Sequence, residues 1–183
     1  MQTFPVHTLD SAPAGSKPAL QALQQVFGTL PNILGAMASS PVLIDSLAGL
    51  FRQVHGGSFS EAQIQTLLLT NAVTNASAWA VAFHTVLALK EGIDPADVQA
   101  IRAGRAPKDS RLAALSVLAR TLIEKRGRLS DQDIERFLAA GYSRELLLEV
   151  IAVVAASTIT NYTGSVTQPP VEAPFNAHLW KAA

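Results

Sequence analysis

Three stretches of this sequence are apolar on nearly every side when they are read as helices. They span residues 64–73, 78–89 and 146–159. A helix without a polar face must be covered all round, either by its own chain or by another subunit. Because a chain of 183 residues can enclose one or two such helices, three of them predict a symmetric homo-oligomer.

Helix start and stop residues recur along the whole chain. Serine or aspartate followed by proline is typical of helix starts, and glycine is typical of helix ends. Ser60, with Gln63 three residues later, predicts a capping box. The predicted helices run from Ser16 to Phe27, over 33–38, from Ser40 to Gly56, from Ser60 onward, up to Gly92, and over 94–104, 110–125, 130–140 and 143–161.

One segment leaves strand and helix open. Residues 150–154 are rich in β-branched side chains, which suit a strand, but they lie between a helix cap and a long apolar continuation that favours a helix. The tail from about residue 167 contains three prolines and predicts an extended arm. Residues 1–183 are therefore predicted to form a single all-α domain.

Charge and cysteine content exclude several classes of function. Lys plus Arg and Asp plus Glu both number 14, and without a basic run we expect neither nucleic acid nor a membrane surface as partner. The N-terminus has no signal-peptide pattern, and the apolar run 146–156 is too short to span a bilayer, so a cytoplasmic protein is expected. The chain has no cysteine, which excludes disulfides, thiolate metal sites and thiol catalysis.

Residues 59–93 contain the most specific pattern in the chain. A serine cap, an asparagine turn, an aromatic residue, a histidine and a Gly-Ile exit follow one another, at Ser60, Asn75, Trp79, His84, Thr85, Gly92 and Ile93. This window resembles the core of the alkylhydroperoxidase D-like proteins of the carboxymuconolactone decarboxylase family. The flanks 26–34 and 101–112 resemble the peroxidase-related branch of that family. The resemblance implies the alkylhydroperoxidase D-like helical fold.

The residues that carry the family's chemistry are mostly replaced. The resemblance places the two cysteines of the family motif at Ser77 and Ala80 and its relay glutamate at Gln65, so that His84 alone is retained. The family reduces hydroperoxides as peroxiredoxins do, with a thiolate that attacks, a second thiol that closes a disulfide, and a glutamate and histidine that move protons. Serine, alanine and glutamine perform none of these steps, so we expect this activity to be lost.

The same positions also have structural interpretations. Ser77 at a helix start can be a simple N-cap, Gln65 can be a hydrogen-bonded core residue, and His84 can be a core histidine. His7, His55 and His178 match no metal-ligand spacing. We therefore expect no metal and no cofactor.

Two functions remain open for such a chain. The first is an oligomeric protein with an apolar pocket for a small molecule, walled by Trp79, Val81 and Phe83. The alternative is a divergent lyase of the decarboxylase type that uses His84 on a small organic acid or lactone. That alternative lacks a cationic anchor, because no Arg or Lys lies between Arg52 and Lys90. The resemblance implies a trimer or a hexamer in either case.

The spacing around His84 predicts a small polar cluster. Ser77 and Ala80 precede His84 by seven and four residues and share its helix face. The resemblance implies that Gln65 approaches from the preceding helix, because the family's relay joins the two helices there. Ser77, Gln65 and His84 would then form a polar island in apolar surroundings. Burial without a neighbouring negative charge predicts that His84 is neutral at pH 7.

Overall fold

The computed structural model describes residues 4–182, and this part of the chain is helical with no β-strand. It contains nine α-helices and two short 3-10 helices at Ala14–Ser16 and Ala173–His178. The α-helices are α1 Lys17–Phe27, α2 Asn32–Met37, α3 Pro41–His55, α4 Glu61–Thr74, α5 Ala78–Lys90, α6 Pro95–Arg102, α7 Ser110–Glu124, α8 Asp131–Ala139 and α9 Arg144–Thr167. The predicted all-α class is confirmed.

Local signals determine most of the helix ends. The predicted capping box is present, with the Ser60 hydroxyl accepting from the Gln63 amide and the Gln63 side chain accepting from the Ser60 amide. Gly28 ends α1 in the left-handed conformation at φ 70°, which glycine adopts without a Cβ clash. Residues 150–154 lie inside α9, which settles the alternative of strand or helix in favour of the helix. One detail differs from the prediction, because α9 continues beyond Asn161 to Thr167.

The centre of the fold is α4, which packs against α5, α6, α7 and α9. Residues 64–72 of this helix are all buried, and so is most of α5. Two of the three apolar stretches are therefore covered by their own chain. This agrees with the sequence argument that a chain of this length can enclose one or two such helices, since α7 and α9 help to cover α4 and α5.

Helix α9 differs from the other two apolar stretches. It spans 24 residues, and by length and hydropathy it is apolar enough to cross a membrane. The sequence prediction that this segment is too short for a bilayer concerned only residues 146–156. The central helix of a folded helical protein meets the same criterion. Here one side of α9 packs against α2, α3, α4, α5 and α7. Its other side leaves large apolar side chains exposed at Leu148, Ile151, Tyr162 and Val166.

The segment after α9 returns across α5 and is fastened there by Glu172. One carboxylate oxygen of Glu172 accepts from the Asn32 amide at 2.6 Å, and the other accepts from the Trp79 indole at 3.0 Å. Further along, the Arg102 guanidinium donates to the carbonyls of His178 and Leu179. The predicted extended arm thus contains a 3-10 helix and is held against the helical body.

We expect Glu172→Ala to detach this arm. The substitution removes a charged acceptor from two donors, and hydrogen bonds to charged groups contribute about 1.5–3 kcal/mol each to stability. Urea unfolding should show a loss of about this size, and amides of residues 173–180 should exchange faster with solvent. Glu135→Ala, which removes an exposed carboxylate from α8, is the matched control and should leave both measurements near wild type. Unchanged exchange in the arm of Glu172→Ala would contradict the assignment.

Candidate functional site

A buried hydrogen bond joins α4 to α5 at Gln65 and His84. The His84 Nδ1 lies 3.0 Å from the Gln65 Oε1, and the two residues are only 7% and 3% exposed. An amide oxygen accepts, so His84 carries its proton on Nδ1 and leaves the lone pair on Nε2. The predicted contact between these two helices is therefore present. It is made by the neutral amide of Gln65, at the position where the resemblance places the family's relay glutamate.

Ser77 makes no side-chain hydrogen bond to this pair among the residues described, so of the predicted three-residue island only the Gln65–His84 contact is present as a hydrogen bond. Among the residues described, Ser77 occupies the N-cap position of α5 without a side-chain capping bond and packs close to Gly164 on α9. Seven residues along a helix correspond to about 10 Å of rise, so a shared face does not bring Ser77 and His84 into contact. Ala80 lies between them, fully buried, and contributes no polar group.

A small cavity lies beside His84 between the N-terminal helices and α4, α5 and α9. Its volume is about 50 Å³. The only polar side chains on its wall, within residues 4–182, are those of His55, His84, Ser157 and Thr160. Four aromatic rings supply much of the remaining surface, at Phe27, Phe51, Trp79 and Phe83. Trp79 and Phe83 were predicted as walls, whereas Val81 is buried on another side of α5 and does not line this cavity.

The structure adds a residue pair that sequence reasoning missed. The His55 Nδ1 donates to Glu61, at 2.8 Å to one carboxylate oxygen and 3.1 Å to the other. The ring also packs on Phe51, with centroids 4.0 Å apart. His55 ends α3 and Glu61 begins α4, so the short link between the helices brings them together. No sequence motif marks this pair. The one signal in the sequence is that His55 and Glu61 are six positions apart.

The Nε2 atom of His55 is buried and has no hydrogen-bond partner among the residues described. His55 lines the inner cavity and also a wide surface groove of about 860 Å³. Glu61 and Gln65 line that groove as well. The His55–Glu61 pair therefore lies at the boundary between the cavity and the surface.

Burial controls the protonation of His84. Desolvation by burial, with a smaller electrostatic contribution from nearby His55, lowers the pKa of His84 from 6.5 to about 3. The imidazole is therefore neutral at pH 7, in agreement with the sequence argument. Within residues 4–182 no three His, Asp or Glu side chains converge as a metal site would require.

Comparison with known proteins supports the fold. No family model and no curated protein matches this sequence. Solved structures that match it over nearly their full length include two peroxidase-related proteins and a debrominase variant. An uncharacterised peroxidase-related protein with an alkylhydroperoxidase AhpD core from Ralstonia eutropha JMP134 has a TM-score of 0.82 and 15% identity, over 94% of this chain and 93% of that one.

The other two structures are similar to the same degree. A peroxidase-related protein from Silicibacter sp. TM1040 has a TM-score of 0.79 and 16% identity, over 97% of this chain and 94% of that one. A variant of the debrominase Bmp8, in complex with 2,3,4-tribromopyrrole, also has a TM-score of 0.79 and 16% identity, over 97% and 95%. These similarities show that the chain has the alkylhydroperoxidase D-like helical fold, as the resemblance of residues 59–93 predicted.

Neutral, buried His84 should make the protein sensitive to acid. Below pH 6.5 the unfolded chain binds a proton at His84 that the folded chain does not bind until about pH 3. The free energy of unfolding should therefore fall as pH drops through this window, by up to about 1.4 kcal/mol per pH unit from this residue. Urea unfolding at pH 7, 6, 5 and 4 measures the dependence.

The variant His84→Gln should lose this part of the acid dependence, because glutamine does not titrate. His7→Gln, near the N-terminus and outside the cavity, should keep the wild-type dependence. Equal pH slopes for wild type and His84→Gln would show that His84 is not held neutral by the fold.

Proposed function

We propose that this protein binds a small, largely apolar molecule in the cavity beside His84. The observation that carries the proposal is the composition of that cavity, in which aromatic rings form much of the wall and two histidines are among its few polar groups. Ligand sites commonly have this character, with a few placed polar groups that orient the ligand on an apolar wall.

Thiol chemistry is not part of this function. The chain contains no cysteine, and Ser77 and Ala80 occupy the positions where the resemblance places the two family thiols. Gln65 holds His84 by a hydrogen bond, but an amide does not exchange a proton near neutral pH. We therefore propose a cysteine-free member of the family that has lost hydroperoxide reduction and kept the pocket.

The size of the cavity limits the ligand. A volume of about 50 Å³ is about a third of the roughly 150 Å³ of an apolar cavity that binds benzene. A single small ring is therefore the largest group that we expect to enter, and side chains of the wall must move to admit it. A debrominase with the same fold binds a tribromopyrrole. This supports a small aromatic ring as the ligand of the present chain.

The alternative of a lyase acting on a small organic acid or lactone is less well supported. Its favourable feature is the neutral His84, whose Nε2 could serve as a base. A carboxylate substrate would need a positive partner, and none of the described residues that line the cavity is Arg or Lys. A neutral ligand fits these walls better than an anionic one.

We also propose that the protein is a cytoplasmic homo-oligomer, a trimer or a hexamer as the resemblance implies. The supporting observation is the outer side of α9. Leu148, Ile151, Tyr162 and Val166 are 45–64% exposed and recur at helical spacing along one stripe. A stripe of this kind is typical of a subunit interface.

Ligand binding can be tested with fluorobenzene, followed by ¹⁹F NMR. Wild type should show a saturable shift of the fluorine signal. Ala156→Leu places a larger side chain in the cavity wall on α9 and should weaken binding at least about tenfold, which is about 1.4 kcal/mol. Ala139→Leu makes the same change at an exposed residue of α8 that does not line the cavity and should bind like wild type.

Two results would contradict the proposal of a binding cavity. One is the absence of saturable binding to wild type. The other is equal weakening by Ala156→Leu and Ala139→Leu, because binding would then occur somewhere other than the cavity.

Sedimentation at micromolar concentration tests the oligomer. Wild type should sediment as a species several times larger than 19.3 kDa. Replacing Leu148 and Ile151 together by Glu puts charges into the stripe and should shift the protein towards monomer. Val42→Glu, at a residue of α3 that is 77% exposed, is the control and should leave the assembly intact. A wild-type species near the mass of one chain would refute the proposal.

A further inference from the structure

The unpartnered Nε2 of His55 is the strongest sign of a missing ligand atom. A buried polar atom without a hydrogen bond costs about 1–3 kcal/mol, and native proteins seldom leave one unsatisfied. Two asparagine oxygens, on Asn71 and Asn161, share this condition. Neither asparagine lines the cavity, whereas His55 does.

Glu61 makes Nε2 the atom that is available to a ligand. Because Nδ1 donates to the Glu61 carboxylate, Nε2 is free of the protein in either protonation state of the ring. The carboxylate and the packing on Phe51 together fix the orientation of the imidazole. An imidazole oriented by a carboxylate in this way is common in metal sites and in catalytic sites that transfer protons.

The ligand group that fits this atom is a hydroxyl. A hydroxyl group both donates and accepts, so it can pair with Nε2 whether or not that nitrogen carries a proton. The rest of the wall is mainly aromatic and aliphatic, which suits a ring. A carboxylate is disfavoured, because no described Arg or Lys lines the cavity and His84 is neutral.

We propose that His55, oriented by Glu61, binds the hydroxyl group of a small phenol whose ring occupies the cavity. His55 is then the residue that selects a phenol over a plain aromatic ring, and Glu61 is a positioning residue. This inference rests on the proposed function, because it requires a ring-sized ligand in the cavity. It uses a histidine–glutamate pair outside the positions at which the resemblance places the family's chemistry.

Comparing 4-fluorophenol with fluorobenzene by ¹⁹F NMR separates the hydroxyl from the ring. One hydrogen bond to Nε2 should make wild type bind the phenol about tenfold more tightly. In His55→Asn, an amide can still reach Glu61 but no group replaces Nε2, and the ratio of the two affinities should fall to about one. His7→Asn, outside the cavity, should keep the wild-type ratio.

Glu61 variants test the positioning role. Glu61→Ala leaves the His55 ring without its partner and should lower the ratio. Glu61→Gln keeps an oxygen that accepts from Nδ1 and should restore much of the ratio. Equal ratios for the two Glu61 variants would refute the positioning role of Glu61.

The outcomes distinguish this inference from the function on which it rests. If neither ligand binds wild type, the binding cavity and the phenol site both fail. If both bind wild type with equal affinity, or if His55→Asn keeps a tenfold preference, the cavity stands and the His55 site is overturned.

Discussion

The structure depends on the enclosure of residues 64–72, the buried part of α4. Because this helix has no polar face, other helices must cover it on every side, and α5, α6, α7 and α9 do so. Its buried polar side chains then need partners inside the protein, and most find one, although the Asn71 Oδ1 has none among the described residues. The Thr70 hydroxyl donates to Ser116 at 2.9 Å, and the Thr66 hydroxyl donates to the Ala62 carbonyl at 2.9 Å. Gln65 is satisfied in the same way, by His84.

This enclosure explains the placement of charge around the site. A carboxylate at position 65 would be buried and would need a positive partner, whereas glutamine needs only a hydrogen bond. The nearest carboxylate on α4 is Glu61, one turn towards the helix start, where it pairs with His55 at the edge of the surface groove. The first turn of a helix also favours negative charge. Charge is thus kept at the boundary, and the interior holds neutral groups.

The cavity wall joins parts of the chain that are far apart in sequence. Trp79 and Phe83 stack at a centroid distance of 4.9 Å on α5. The C-terminal arm supports them from behind, because Phe175 packs edge-on against Phe83 and Glu172 accepts from the Trp79 indole. The arm therefore takes part in ordering the aromatic wall, although it lies about ninety residues further along the chain.

Sequence alone determined the features that depend on neighbouring residues. Caps, glycine stops and apolar stretches predicted the helices, since these signals act within one or two turns, and the pattern of residues 59–93 predicted the fold and the approach of Gln65 to His84. Tertiary structure alone decided that Ser77 makes no hydrogen bond to His84, that Val81 faces away from the cavity and that α4 and α5 are covered within one chain. It also decided that His55 meets Glu61 with an unpartnered nitrogen at the cavity. These features depend on how whole helices pack, and helical periodicity specifies the face of a side chain without specifying what lies opposite it.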